Sequence, residues 1–153
     1  MKKFELTTDT KMRFGKKLFR IKALISFGNV RAGDMGGYIE KEGNLSQSGN
    51  AWVYGDAEVY GNAGVFGDAR VSGDARVFGD ADYATASGFG SEYRTTTFFK
   101  LKDSNEIGVR CGCFYGTLKE FRAKVKETHG ESKKAKEYLM LADLMEYRFL
   151  EEK

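Results

Sequence analysis

Glycine recurs every six residues without a slip, at Gly37, Gly43, Gly49, Gly55, Gly61, Gly67, Gly73 and Gly79. A fixed period of this kind marks a stretch built from repeated short units rather than from independent elements. From Gly43 onward each glycine is followed by Asn44, Asn50, Asp56, Asn62, Asp68, Asp74 or Asp80, and then by Leu45 or by Ala51, Ala57, Ala63, Ala69, Ala75 or Ala81. Two residues after five of those alanines stand Val53, Val59, Val65, Val71 and Val77. In an extended chain successive side chains point to opposite faces, so Val, Gly and Ala share a small apolar face while residues such as Tyr54, Asp56 and Glu58 share the other. Gly and Asn/Asp tolerate the backbone of a tight corner, and no single hexad can bury its valine alone. The units must stack. The chain has 19 Gly and 0 Pro, which fits glycines that serve a regular architecture and not loop filler.

The unit Val-x-Gly-(Asn/Asp)-Ala-x resembles the hexapeptide repeat of left-handed parallel β-helix proteins over residues 37 to 84 or so. The resemblance implies three hexads per coil, which brings side chains eighteen residues apart into register. Trp52 would then lie beside Arg70 as a cation–π pair and Glu58 beside Arg76 as an ion pair. Tyr54, Tyr60, Phe66 and Phe78 occupy one outward repeat position, which Ser72 and Ala84 interrupt. So many outward aromatics on a short stretch point to a covered surface, with another subunit, a cap folded back and a stacked ligand as the candidate covers.

The expected fold class is α+β, mainly β: an N-terminal β cap over 1–36, a hexapeptide-repeat β-solenoid over 37–90, and a β-hairpin plus two-helix module over 91–153. In the cap, Phe4–Leu6 and Leu18–Leu24 read as strands with a turn near Gly15. The stretch Leu18 to Gly37, with Asn44-Leu45-Ser46 and Gly49 to Gly55, resembles phage and prophage proteins of bacteria that join such an entry segment to hexapeptide coils. The segment Cys111-Gly112-Cys113-Phe114 to Phe121, with Glu127 to Gly130, resembles a small terminal module of phage proteins. Thr95–Leu101 and Ile107–Phe114 read as a hairpin around residues 103 to 106. Thr117 and Glu120 form a capping box, Leu118, Phe121, Val125 and His129 fall on one helical stripe, and Gly130 stops that helix. A second helix from about Ser132 to Phe149 carries a main stripe of Ala135, Tyr138, Leu139, Ala142, Met145 and Phe149, with Met140, Leu144 and Tyr147 nearly opposite. A two-sided apolar helix needs two partners.

Charge is uneven. Residues 1 to 36 hold nine Lys/Arg against three acids, and residues 37 to 95 hold four against nine. The basic residues of the first segment alternate with apolar ones, which reads as the wet face of a hairpin, and no nucleic-acid-binding motif accompanies them. Nucleic acid is therefore a disfavoured partner. No apolar run reaches membrane-spanning length and the Met-Lys-Lys start leads into no signal-peptide core, so the expectation is no membrane and a cytoplasmic setting in a bacterial host.

Catalytic schemes find few residues. Hexapeptide β-helices are best known as acyltransferases with a histidine base, whereas the one histidine here, His129, falls outside the hexads at a helix end. Cys111, Cys113 and His129 offer three soft ligands and lack a fourth, so free core cysteines are preferred over a zinc site or reactive thiol. The corner residues Asp56, Asn62, Asp68, Asp74 and Asp80 read as solvated bends, since the nonapeptide of calcium-binding β-rolls does not occur. No catalytic, cofactor or metal residues are assigned. The expected function is a non-enzymatic, oligomeric binding or scaffold protein, phage-encoded and acting on a host or phage protein, with inhibition of host defence as one form. The expected oligomer is a trimer or dimer. Its interface candidates are Tyr54, Tyr60, Phe66, Phe78, Met140, Leu144 and Tyr147. An acyltransferase and a sponge for a small nucleotide signal stand as alternatives.

Overall fold

The structure, a computed structural model, describes residues 2–79, 82–89, 94–102, 106–112 and 114–150. The chain opens with a long antiparallel hairpin, β1 (Phe4–Arg13) and β2 (Lys16–Ala23), followed by β3 (Met35–Ile39) antiparallel to β2. A 3-10 turn over Glu42–Asn44 leads into the hexads. These form four strands of two residues each: β4 (Trp52–Val53), β5 (Glu58–Val59), β6 (Arg70–Val71) and β7 (Arg76–Val77). Next come β8 (Tyr83–Phe89), β9 (Arg94–Lys100), β10 (Ile107–Cys111) and β11 (Phe114–Thr117), then α1 (Leu118–His129) and α2 (Lys133–Leu150).

The described residues form three sheets. One is mixed and five-stranded in the order β1-β2-β3-β5-β7, one is antiparallel and four-stranded in the order β11-β10-β9-β8, and one is the parallel pair β4-β6. This overturns the expected left-handed parallel β-helix and hexapeptide-repeat solenoid: the fold is α+β with mixed and antiparallel sheets. The physical reason lies in strand length. Each hexad commits only two residues to a ladder before glycine turns the chain, with φ between 62° and 76° at Gly49, Gly55, Gly61, Gly67 and Gly73. Such short parallel pairs gain few hydrogen bonds of their own, and the longer antiparallel strands β1 and β2 extend the ladder through β3. The eighteen-residue register itself is present, with Trp52 paired to Arg70 and Glu58 to Arg76.

The inward alternation read from the repeat holds. Val53, Val59, Val65, Val71 and Val77 are fully buried, as are Ala51, Ala57, Ala63, Ala69 and Ala75. Phe4, Ile21, Ala23 and Val30 join them in one core, so residues 2–36 and the hexads pack as one body. The corners Asp56, Asn62, Asp68 and Asp74 are exposed, as solvated bends should be; Asp80 lies outside the described residues. Asn44 differs, being buried. Its amide donates to the Gly61 and Ala63 carbonyls while its oxygen accepts from the Glu40 and Lys41 amides.

The four-stranded sheet separates two cores. Neighbouring residues on a strand face opposite ways, so Phe99 and Tyr83 enter the hexad core while Phe98 enters a second core with Ile107, Val109, Phe121, Tyr138 and Phe149. The expected β9–β10 hairpin pairs Lys100 with Ile107 and Phe98 with Val109; residues 103–105 of its turn lie outside the described ones. Strands β8 and β11 extend the expected hairpin on its two sides. The α1 capping box forms as expected, with Thr117 Oγ1 accepting from the Glu120 amide and Glu120 Oε1 accepting from the Thr117 amide. Gly130 ends the helix at φ 60°.

Candidate interaction surface

The 3.6-residue period of α2 puts Ala135, Tyr138, Ala142, Met145 and Phe149 on the second core, all buried. The same period turns Met140, Leu144 and Tyr147 outward, where all three are exposed. Leu144 is 55% exposed and faces Phe66, itself 66% exposed, across an open cleft of about 470 Å³. Tyr83, Ala84, Thr85, Met145 and Arg148 complete its walls. The fold thus brings one outward aromatic of the hexads together with the second stripe of α2, two sets of residues nearly eighty positions apart in sequence.

The other outward aromatics have different surroundings. Tyr54 is half-buried with the Arg110 guanidinium 4.9 Å above its ring. Tyr60 is buried in a small cluster with Leu18 and Tyr38, and its ring stacks on Phe78 at 5.9 Å. Phe78 remains 57% exposed. Of the seven interface candidates, therefore, Phe66, Phe78, Met140, Leu144 and Tyr147 stand on the surface, and the chain's own hairpin covers Tyr60.

Beside Tyr60 lies Glu58, an outward position by alternation yet almost wholly buried. The hairpin reaches over it: Arg13 grips both carboxylate oxygens at 2.7 Å, Lys11 Nζ lies 2.8 Å away and Arg76 Nε 3.8 Å away. Burial alone would raise the Glu58 carboxyl, but hydrogen bonds from Arg13 and Lys11 outweigh it and hold the group below the usual carboxylate range. The expected Glu58–Arg76 pair is thus one arm of a larger cluster. The expected Trp52–Arg70 contact is replaced: the Trp52 ring packs edge-on against Phe4 and Phe27, and Arg70 Nη2 donates to the Gly112 carbonyl. Near Trp52 the buried Lys3 donates to the Ala51 carbonyl at 2.8 Å, 4.7 Å from the Phe27 ring centroid.

The candidate chemistry of the C-terminal module is inward. Cys111 Sγ accepts from Thr96 Oγ1 at 3.2 Å and lies 3.8 Å from the Tyr138 hydroxyl, and the His129 ring leans on Tyr138 at 5.9 Å. Cys113 lies outside the described residues. Among the described residues no three His, Cys, Asp or Glu side chains converge on a metal position, and no helix is long and apolar enough to cross a membrane. No family model and no curated protein matches the chain, and the resemblance to phage and prophage hexapeptide proteins is withdrawn together with the β-helix.

Proposed function

We propose that this chain is a non-enzymatic binding or scaffold protein that works as a homo-oligomer, with the face formed by Phe66 and the outer stripe of α2 as its contact with a second copy. The observation that carries the reading is the pairing of Phe66 with Leu144 across one cleft, continued along the helix by Met140 and Tyr147. Exposed apolar groups that adjoin in this way lose water-accessible area at a favourable rate of about 25 cal/mol per Å² when covered. A second copy is the favoured occupant because α2 complements itself. Met140 and Tyr147 lie on either side of Leu144 along its outer stripe, so two antiparallel copies set like apolar groups against like, while Asp143 and Glu146 stay paired with Arg122 of their own chain. A macromolecular target would then be held by a surface repeated in each copy, which raises avidity without new contacts.

Light scattering during gel filtration at about 50 µM tests this. A mass of two or three chains is expected, falling toward the 17.1 kDa of one chain in a Leu144→Glu, Tyr147→Lys variant whose far-UV spectrum is unchanged. A wild-type mass of one chain overturns the proposal.

A further inference from the structure

A second surface, on the five-stranded sheet and its β1–β2 hairpin, carries an inference of its own that does not rest on self-association. Lys11, Arg13, Lys16 and Arg76 gather on the outward side of β5 and β7 against Glu58 and Glu40, four cations to two carboxylates. Nearby Asp82 is neutralised by Lys100 at 3.2 Å, so an excess of two positive charges remains. Glu58 does not cancel the cluster; it clamps Arg13 and Lys11 in place while their side chains stay partly open to solvent. Against this cluster lies a flat aromatic platform, the Phe78 ring stacked on Tyr60 with 26° between the planes and its other side in water.

The hairpin tip supplies the independent observation. Phe14 follows Arg13 and has φ 52°, the one non-glycine residue with positive φ among the described residues, in a two-residue turn with Gly15 at φ 79°. Asn or Gly satisfies such a turn without strain, whereas an aromatic residue held there costs stability. Phe14 recovers nothing by packing, since it is 82% exposed. A strained, bare aromatic beside clamped guanidinium groups is an arrangement for stacking on a planar ligand that also carries negative charge.

We propose that this face binds the nucleobase–phosphate unit, as a free nucleotide or within a single-stranded nucleic acid, with a base stacked on Phe78 and phosphate held by Arg13, Arg76 and Lys11. Arg13 uses Nε and Nη2 on Glu58 and keeps its Nη1 edge for phosphate, beside the Arg76 guanidinium and the Lys11 ammonium, and every base offers a face to an aromatic ring, so the site reads backbone and stacking rather than sequence. Phe14 offers a second stacking surface beside the same cations. Sequence alone concealed the site because its cations and aromatics come from residues 11 to 16 and 60 to 78, with no motif linking them.

Fluorescence anisotropy with a labelled ten-residue oligothymidylate, and unlabelled ATP as competitor, tests the inference on the full chain. Binding is expected to weaken about ten-fold in Phe78→Ala and to weaken in Phe14→Asn, and Phe14→Asn should melt no lower than wild type because Asn accepts the left-handed backbone. Raising salt from about 50 to 200 mM should weaken it roughly seven-fold, for the two phosphates that the excess of two positive charges can neutralise. Displacement by ATP at comparable concentration assigns the site to free nucleotides, and persistence of the oligonucleotide against excess ATP assigns it to single strands. The proposal is overturned if neither probe binds at millimolar concentration, or if Phe78→Ala binds the oligonucleotide as tightly as wild type.

Discussion

The hexad core and the helical core differ in how each side chain is held. In the hexads the repeated interior positions are Val and Ala, joined by the rings of Phe4, Trp52, Tyr83 and Phe99, and the backbone bonds join segments seventeen or so residues apart, as where the Trp52 amide donates to the Ala69 carbonyl and the Glu58 amide to the Ala75 carbonyl. In the helical module the interior is large and aromatic, with Phe121 meeting Phe98, Phe114 and Tyr138 at centroid distances of 5.5 to 6.1 Å, and its helices close their own hydrogen bonds locally. The first core is cooperative because no repeat is stable without its neighbours; the second concentrates its stability in a few rings. Phe98 and Phe99, on opposite faces of β9, are where the two meet.

The largest expected effect comes from charging the hexad interior. Val65 is fully buried, bridged to Leu45, and its carbonyl accepts from the Ser46 amide. Val65→Asp should unfold the whole chain, since an unpaired buried carboxylate costs several kcal/mol against a total stability of about 5 to 15. Far-UV dichroism and the fluorescence of Trp52, the single tryptophan, should both report the loss. A soluble variant with unchanged melting contradicts the inward placement.

Truncating a ring separates the two cores. Phe121→Ala should cost about 3 to 5 kcal/mol, and the helical signal at 222 nm should melt below the Trp52 signal, which reports the hexad side. Coincident transitions would show that the four-stranded sheet couples the cores into one cooperative unit.

A smaller effect comes from Lys3, whose ammonium is lowered by burial from 10.5 to about 8. Because the unfolded chain binds this proton more tightly, it holds more protons than the folded one between those values, and stability rises with pH there. Burial raises Tyr60 and Tyr115 above their ordinary 10, which opposes the trend at higher pH, so the clean window runs from pH 8 to 10. Urea titrations should show a gain of roughly 2 kcal/mol across it, absent in Lys3→Met. A flat wild-type profile would mean that the ammonium stays solvated.

The smallest effect is local to α1. Thr117→Ala removes one half of the capping box and should cost about 1 kcal/mol, read as a small drop in the melting temperature of the helical signal with Trp52 fluorescence unmoved. An equal drop in both signals would again join the two cores.

Much of this was legible before folding wherever a local rule governs. The valine and alanine faces, the glycine bends, the Thr117–Glu120 box, the Gly130 stop and the two stripes of α2 depend on residue spacing and on backbone that few residue types tolerate. The outward faces were not legible in the same way. Trp52 and Glu58 occupy the same alternating position as solvent-facing residues, and both are buried because β1 and β2 fold back across them, a contact between residues 4 to 13 and 52 to 58 that no local pattern encodes. The fold class failed for the same reason: a six-residue period describes each turn, whereas the pairing of β3 with β2, which makes the sheet mixed, is a long-range choice. Periodicity thus determined which side chains leave water together, and only tertiary structure decided which backbone edges would meet and which exposed faces would be covered, because a hydrogen-bonding edge carries no side-chain signature of its partner.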